Sequence, residues 1–225
     1  MIATIVQKMT PWYQNLPVNW FDVALLLVLG FGFWRGRKRG MSREALPTGF
    51  WLAVVIGGGL GDQPLGNWLL STGYVRQVFG TSVNEHTLAY VISYLAIFLA
   101  AFFVYSMLAK LFKEKVSGSN AFGSGEYYLG TISGMVRYGC VALFFLALLN
   151  APYYSAAEIA AQKAYNNRTF GGGLQGYSGE FFPSIAEIQA DVFQHSLAGP
   201  AIHSNLSALL IQNSAPGKKT GSVHL

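Results

Sequence analysis

Apolar and polar positions along the chain separate into long uninterrupted apolar runs closed by short clusters of positive charge, a pattern set at the scale of whole helices. Between Phe21 and Trp34 the only ionisable side chain is Asp22, and the run ends in Arg35-Gly36-Arg37-Lys38-Arg39-Gly40-Met41-Ser42-Arg43-Glu44. A second run is uncharged from Thr87 through Ala109 and closes on Lys110, Lys113 and Lys115; a third, Tyr127 to Asn150, is interrupted only by Arg137. At about 1.5 Å per residue, the run from Thr87 reaches roughly 34 Å, enough to cross a hydrocarbon core with some tilt. A further segment from Leu46-Pro47 to Gly61 is apolar but rich in glycine.

The pattern predicts an all-α membrane protein with four transmembrane helices at about 19–34, 46–61, 87–109 and 128–150. Residues 1–18 form an interfacial lead-in with Trp12 and Tyr13 at headgroup level, and lack the long apolar core of a cleavable signal peptide. Residues 151–225 form an extracytoplasmic region with short amphipathic helices and a disordered end. In that region Ala156 to Tyr165 can form a helix and 166–179 is irregular. After Pro183, the residues Ile185, Ile188, Val192 and Phe193 make an apolar stripe opposite Glu187, Asp191 and Gln194, which Gly199-Pro200 should end. Leu206, Leu209, Leu210 and Ile211 add a second apolar patch.

Local chemistry refines each span. Asn19 is a suitable N-cap for the first, which places Asp22 where a carboxylate meets free backbone N–H groups; proton or cation handling is the alternative role for Asp22. Pro47 suits a first helical turn, and Gly57, Gly58, Gly59 and Gly61 let another backbone approach closely, or else break the helix. Asp62, Pro64 and Arg76 are expected in a loop, with Trp68, Leu69 and Leu70 in the interface. The turn-rich stretch 117–125 should make spans three and four antiparallel neighbours. In span four Gly130, Ser133, Gly134 and Arg137 share one face, so Arg137 should point into the bundle.

Composition agrees with this reading. Only 11% of the 225 residues are charged and 52% are hydrophobic, with mean hydropathy +0.35, against about 25% charged in soluble domains. The net charge of +5 does not point to nucleic acid, because eight of the fifteen Lys and Arg sit in the two basic stops at 35–43 and 110–115. Those stops place both segments in the cytoplasm, against anionic headgroups, and leave both termini outside. The lone Cys140 cannot form an intrachain disulfide.

Taken together, Trp20-Phe21-Asp22, the turn Arg39-Gly40-Met41-Ser42-Arg43-Glu44-Ala45-Leu46, the Gly-containing loop after span three, and Leu129-Gly130, Gly134 and Arg137 in the last span resemble the colicin V production protein family (CvpA) of small bacterial inner-membrane proteins. The resemblance covers roughly 18–150. Pro47 after the Arg-Glu turn, Tyr138 between Arg137 and Gly139, and the long C-terminal region depart from the pattern. It implies a four-span protein connected with colicin export and envelope maintenance, of a kind whose membrane segments also occur fused to periplasmic serine proteases.

An enzyme needs a nucleophile, base or metal constellation. His86, His195, His203 and His224 lack metal spacing, Gly176-Tyr177-Ser178-Gly179 is not a nucleophile elbow, and Gly171-Gly172-Gly173 lacks the rest of a phosphate loop. The expectation is a non-enzyme without cofactor or metal, working through helix contacts with itself or with other membrane proteins. The glycines at 57, 58, 59, 61, 130 and 134 and Ser133 would pack helices; Asp22, Arg35, Arg39, Arg43, Glu44 and Arg137 are the polar candidates. Arg137 can pair with Glu44 or a lipid phosphate and so hold spans two and four together. The alternative is an oligomeric channel or transporter for a solute, ion or lipid, with Arg137 and Asp22 on its path.

Overall fold

The computed structural model describes residues 19–79, 85–116, 123–152 and 185–211. The lead-in 1–18, the expected helix at 156–165, the irregular 166–179 and the tail beyond 211 lie outside the described residues. Seven helices are described: α1 (Trp20–Arg39), α2 (Met41–Thr72), α3 (Tyr74–Phe79), α4 (Glu85–Val116), α5 (Glu126–Asn150), α6 (Ile185–Phe193) and α7 (Ala198–Asn205), with short 3-10 turns at Gly123–Gly125 and Ser207–Leu209. Three of them, over Met41–Thr72, Glu85–Leu111 and Glu126–Asn150, are long and apolar enough to cross a membrane.

The helices extend beyond the expected spans. α1 opens with a reciprocal capping box between Asn19 and Asp22 and carries Arg37, Lys38 and Arg39 in its last turn, where cations complement the exposed carbonyls. The first basic stop is therefore mostly helical. Gly40, at φ +75°, is the single residue between α1 and α2, a conformation that favours glycine.

α2 is one continuous helix of 32 residues, about 48 Å long. Pro47 is inside it, and Asp62 and Pro64, expected in a loop, are inside it as well. Each proline costs one backbone hydrogen bond, a loss that packing from neighbouring helices offsets. The glycines do not break α2 because neighbours fill the space beside them. A Cβ on Gly61 would come within 2.7 Å of Ile97, one on Gly59 within 2.6 Å of the Leu209 Cα, and one on Gly58 would run into the Tyr94 ring. Gly57 has room, with Ile97 at 3.6 Å. The chain turns at Gly73 (φ +69°) into α3, and Arg76 pairs with Glu85 at 3.5 Å.

The extensive helix contacts order the layers α4, α2, α5, α1. Spans three and four meet through rings, Tyr94 and Phe98 against Phe144 at 5.6 and 5.1 Å, while α2 rather than α4 is the backbone neighbour of α5. Two short basic-end links set the directions: Gly40 joins α1 to α2, and the Glu126 carboxylate accepts the Ser42 N–H at 2.6 Å. α2 and α5 thus run parallel, both leaving the basic end, and α1 and α4 run back toward it.

At the opposite end the C-terminal helices cap the bundle. Val192, Leu210 and Ile211 are buried with Phe21, Val54, Phe144 and Ala147. Gln189 donates to the carbonyls of Leu149 and Pro152, and Asn150 to that of Ile211, at 3.0, 2.8 and 2.9 Å. The two Gln189 bonds answer open carbonyls at and just past the C-terminus of α5, and the Asn150 bond ties that end to the chain beyond α7. Ile185 of the expected stripe is exposed, and Gly199-Pro200 does not end a helix but lies in the first turn of α7, where proline's missing N–H is harmless. Large apolar side chains cover the flanks of the bundle: Leu26, Leu27, Leu99, Phe103 and Leu111 are all exposed. A surface this apolar suits lipid, not water.

Candidate functional site

The densest concentration of buried polar groups lies where α1, α2 and α5 meet near the basic end. Glu44, in the first turn of α2, is fully buried. One carboxylate oxygen accepts from Arg137 of α5 at 2.8 Å, and the other faces Arg39 of α1 at 3.4 Å. A single carboxylate thereby links three helices. Arg137 starts deeper along α5 than Glu44 along α2, and its side chain reaches back toward the N-terminus of its helix, the direction in which helical side chains lean. Beside it, the Thr48 hydroxyl bonds the Ser133 hydroxyl at 2.7 Å and the Ser133 carbonyl at 3.2 Å.

Next to this cluster α1 and α5 touch backbone to backbone. A Cβ on Gly32 would lie 2.8 Å from the Gly134 carbonyl oxygen, one on Gly130 would lie 2.7 Å from that of Gly36, and one on Gly36 would lie 3.0 Å from the Gly134 Cα. Gly32, Gly36 and Gly40 recur every fourth residue, the small-xxx-small spacing by which membrane helices associate closely. The expected glycine face of span four is thus met by a matching face on span one.

The remaining candidates are dispersed. Arg35 is half-buried, its guanidinium 5.8 Å from the Phe31 ring centre; Arg43 is exposed. The Nε atoms of Arg35 and Arg137 are buried without hydrogen-bond partners among the described residues. Asp22 lies at the far end of α1, where its carboxylate accepts from Asn19 N at 2.9 Å, Leu197 N at 3.0 Å and Ala198 N at 2.9 Å. It caps its own helix and also binds the start of α7.

Sequence reasoning missed Gly32 and Gly36 because the expected first span ends at 34 and splits the pair, although their four-residue spacing is visible. Glu126 and Thr48 gave no signal, since their partners are distant in sequence. It also missed Asp62, which is 1% exposed, one oxygen accepting from Gln63 N at 2.7 Å and the other without a partner among the described residues. The buried Tyr94 hydroxyl on the facing helix also lacks a partner there.

A bundle of long apolar helices with Asp22, Glu44 and Asp62 buried inside it and its flanks apolar is that of a multi-pass integral membrane protein. The Colicin V production protein family model matches residues 21–172, more than half of the chain, and the chain belongs to that family. The match runs past the four expected spans into the C-terminal region. No curated protein and no solved structure matches the chain.

Proposed function

We propose that this protein is a four-span inner-membrane factor for envelope assembly, maintenance or export, acting without catalysis through helix contacts with itself or other membrane proteins. In this reading α1 is the fourth span, the basic ends of the helices face the cytoplasm near anionic headgroups, and the α6–α7 cap and both termini are extracytoplasmic. The observation that carries the proposal is the Arg137–Glu44 pair: the one cation well inside a span is held by a carboxylate on the neighbouring helix. An arginine at mid-bilayer costs about 2.5 kcal/mol or more, and such pairing is how a bundle accommodates it. That role is architectural, and the glycine crossing of α1 and α5 beside it is architectural too.

A second reading, an oligomeric channel or transporter, draws support from Asp62, a buried carboxylate with an unpartnered oxygen. The test is the mass of the purified protein in native nanodiscs, with bound lipid counted separately, followed by Arg137→Ala. A monomer, or a complex with another membrane protein, whose assembly fails in the variant supports the assembly role. A closed homo-oligomer that persists in Arg137→Ala while its solute flux changes supports the channel.

A further inference from the structure

The glycine crossing of α1 and α5 has two sides. On one lies the Arg39–Glu44–Arg137 cluster; on the other the helices splay into an open cleft of about 870 Å³. Its basic-end mouth is formed by Arg37 and Lys38 of α1 and by Tyr127 and Tyr128 of α5, with Phe33 and Ile132 lining it about one turn deeper. All six side chains are exposed, Tyr127 at 61% and Tyr128 at 79%. Arg37 and Lys38 form no ion pair among the described residues, and the Lys38 ammonium lies 4.1 Å from the centre of the Trp34 ring.

We propose that this cleft is a binding site for one anionic glycerophospholipid. The order of its walls matches the order of groups in such a molecule. Two uncompensated cations stand where the phosphate of a lipid lies, and tyrosines sit at headgroup depth, where amphipathic rings are favoured. Aromatic and branched apolar side chains follow at the depth of the first acyl methylenes. The site would hold lipid whether the protein works as an assembly factor or as a channel.

The experiment uses the full chain in nanodiscs of equal parts phosphatidylcholine and phosphatidylglycerol, with the lipids retained on gentle release counted by native mass spectrometry. The wild-type protein should retain one phosphatidylglycerol preferentially. Each cation near a membrane surface contributes about fivefold to attraction of an anionic lipid, so Arg37→Gln with Lys38→Gln should weaken retention about 25-fold. Arg43→Gln with Lys110→Gln removes the same charge from exposed positions outside the cleft, and should leave the retained lipid in place. Equal losses in both pairs would mean diffuse attraction by the basic surface and would overturn the site. Undiminished retention in the cleft variant, or equal retention of phosphatidylcholine by the wild type, would overturn it too. A folding failure is separated by a helical spectrum and by Ile132→Trp, which fills the apolar end while keeping both cations and should also expel the lipid.

Discussion

The Glu44–Arg137 pair offers the most direct measurement of how this bundle is held. Replacing Arg137 by methionine keeps most of the apolar stem and removes the guanidinium. Glu44 is fully buried and would keep only Arg39, which is 3.4 Å away with its side chain 41% exposed. Breaking a buried pair by removing one partner costs about 3–5 kcal/mol. Because Arg39 can still approach, the lower end applies, about 3 kcal/mol, or a roughly 150-fold rise in the unfolded-to-folded ratio. Glu44→Met should cost less, about 2 kcal/mol, because the freed arginine, 19% exposed in the pair, can snorkel toward headgroups. With both residues replaced no buried charge is stranded, so the double variant should recover much of the loss. Steric-trap or detergent unfolding of all four proteins in bilayer discs gives the coupling energy directly. Losses that simply add, with coupling below about 0.5 kcal/mol, would refute the claim that these residues act as one unit.

Three further outcomes follow from the packing. Gly36→Ala places a methyl against the Gly130 and Gly134 backbones and should cost about 1–3 kcal/mol, whereas Gly30→Ala, with nothing within 4 Å, should be neutral or slightly stabilising; thermal melts in one detergent compare the two. Asp22→Ala removes the acceptor for the Leu197 and Ala198 N–H groups, so their hydrogen-exchange protection should fall while that of α4 is unchanged; unchanged protection at 197 and 198 would argue against the clasp. Asp62→Asn replaces a buried carboxylate with an unpartnered oxygen by a neutral amide and should raise the melting temperature; a drop would show that a cation or water holds that carboxylate in the membrane.

Chain order and hydropathy were enough to anticipate helices, their approximate sequence positions and the reversal of direction at each basic stop. Helix ends were less legible. Pro47 suits a first helical turn and Pro64 a loop by sequence, yet both sit within α2, since partners in the bundle make up for a lost backbone bond. Asp62 follows the glycine run and falls with Pro64 in the expected loop, whereas in the bundle it is a buried residue of α2. Gly130, Ser133 and Gly134 could be placed on one face from spacing alone. That their partners would be Gly32 and Gly36, and the hydroxyl of Thr48, depended on which helices lie side by side.

The sequence by itself determined the class of protein, because the cost of placing charge and unpaired backbone in hydrocarbon forces apolar runs of helical length with basic residues at their ends. The residues that carry the family resemblance were legible for the same reason: Asp22, the Arg-Gly and Arg-Glu turn, and Arg137 stand out against an apolar background. Tertiary structure alone decided that α2 packs between the backbones of α4 and α5, that Arg39 joins Arg137 on Glu44, and that Asp22 holds a helix from the far end of the chain. Those outcomes join residues up to 176 positions apart. A local pattern encodes which face of a helix is small, apolar or charged; it carries no term for the neighbour that face will meet, which is chosen by the joint packing of all the helices.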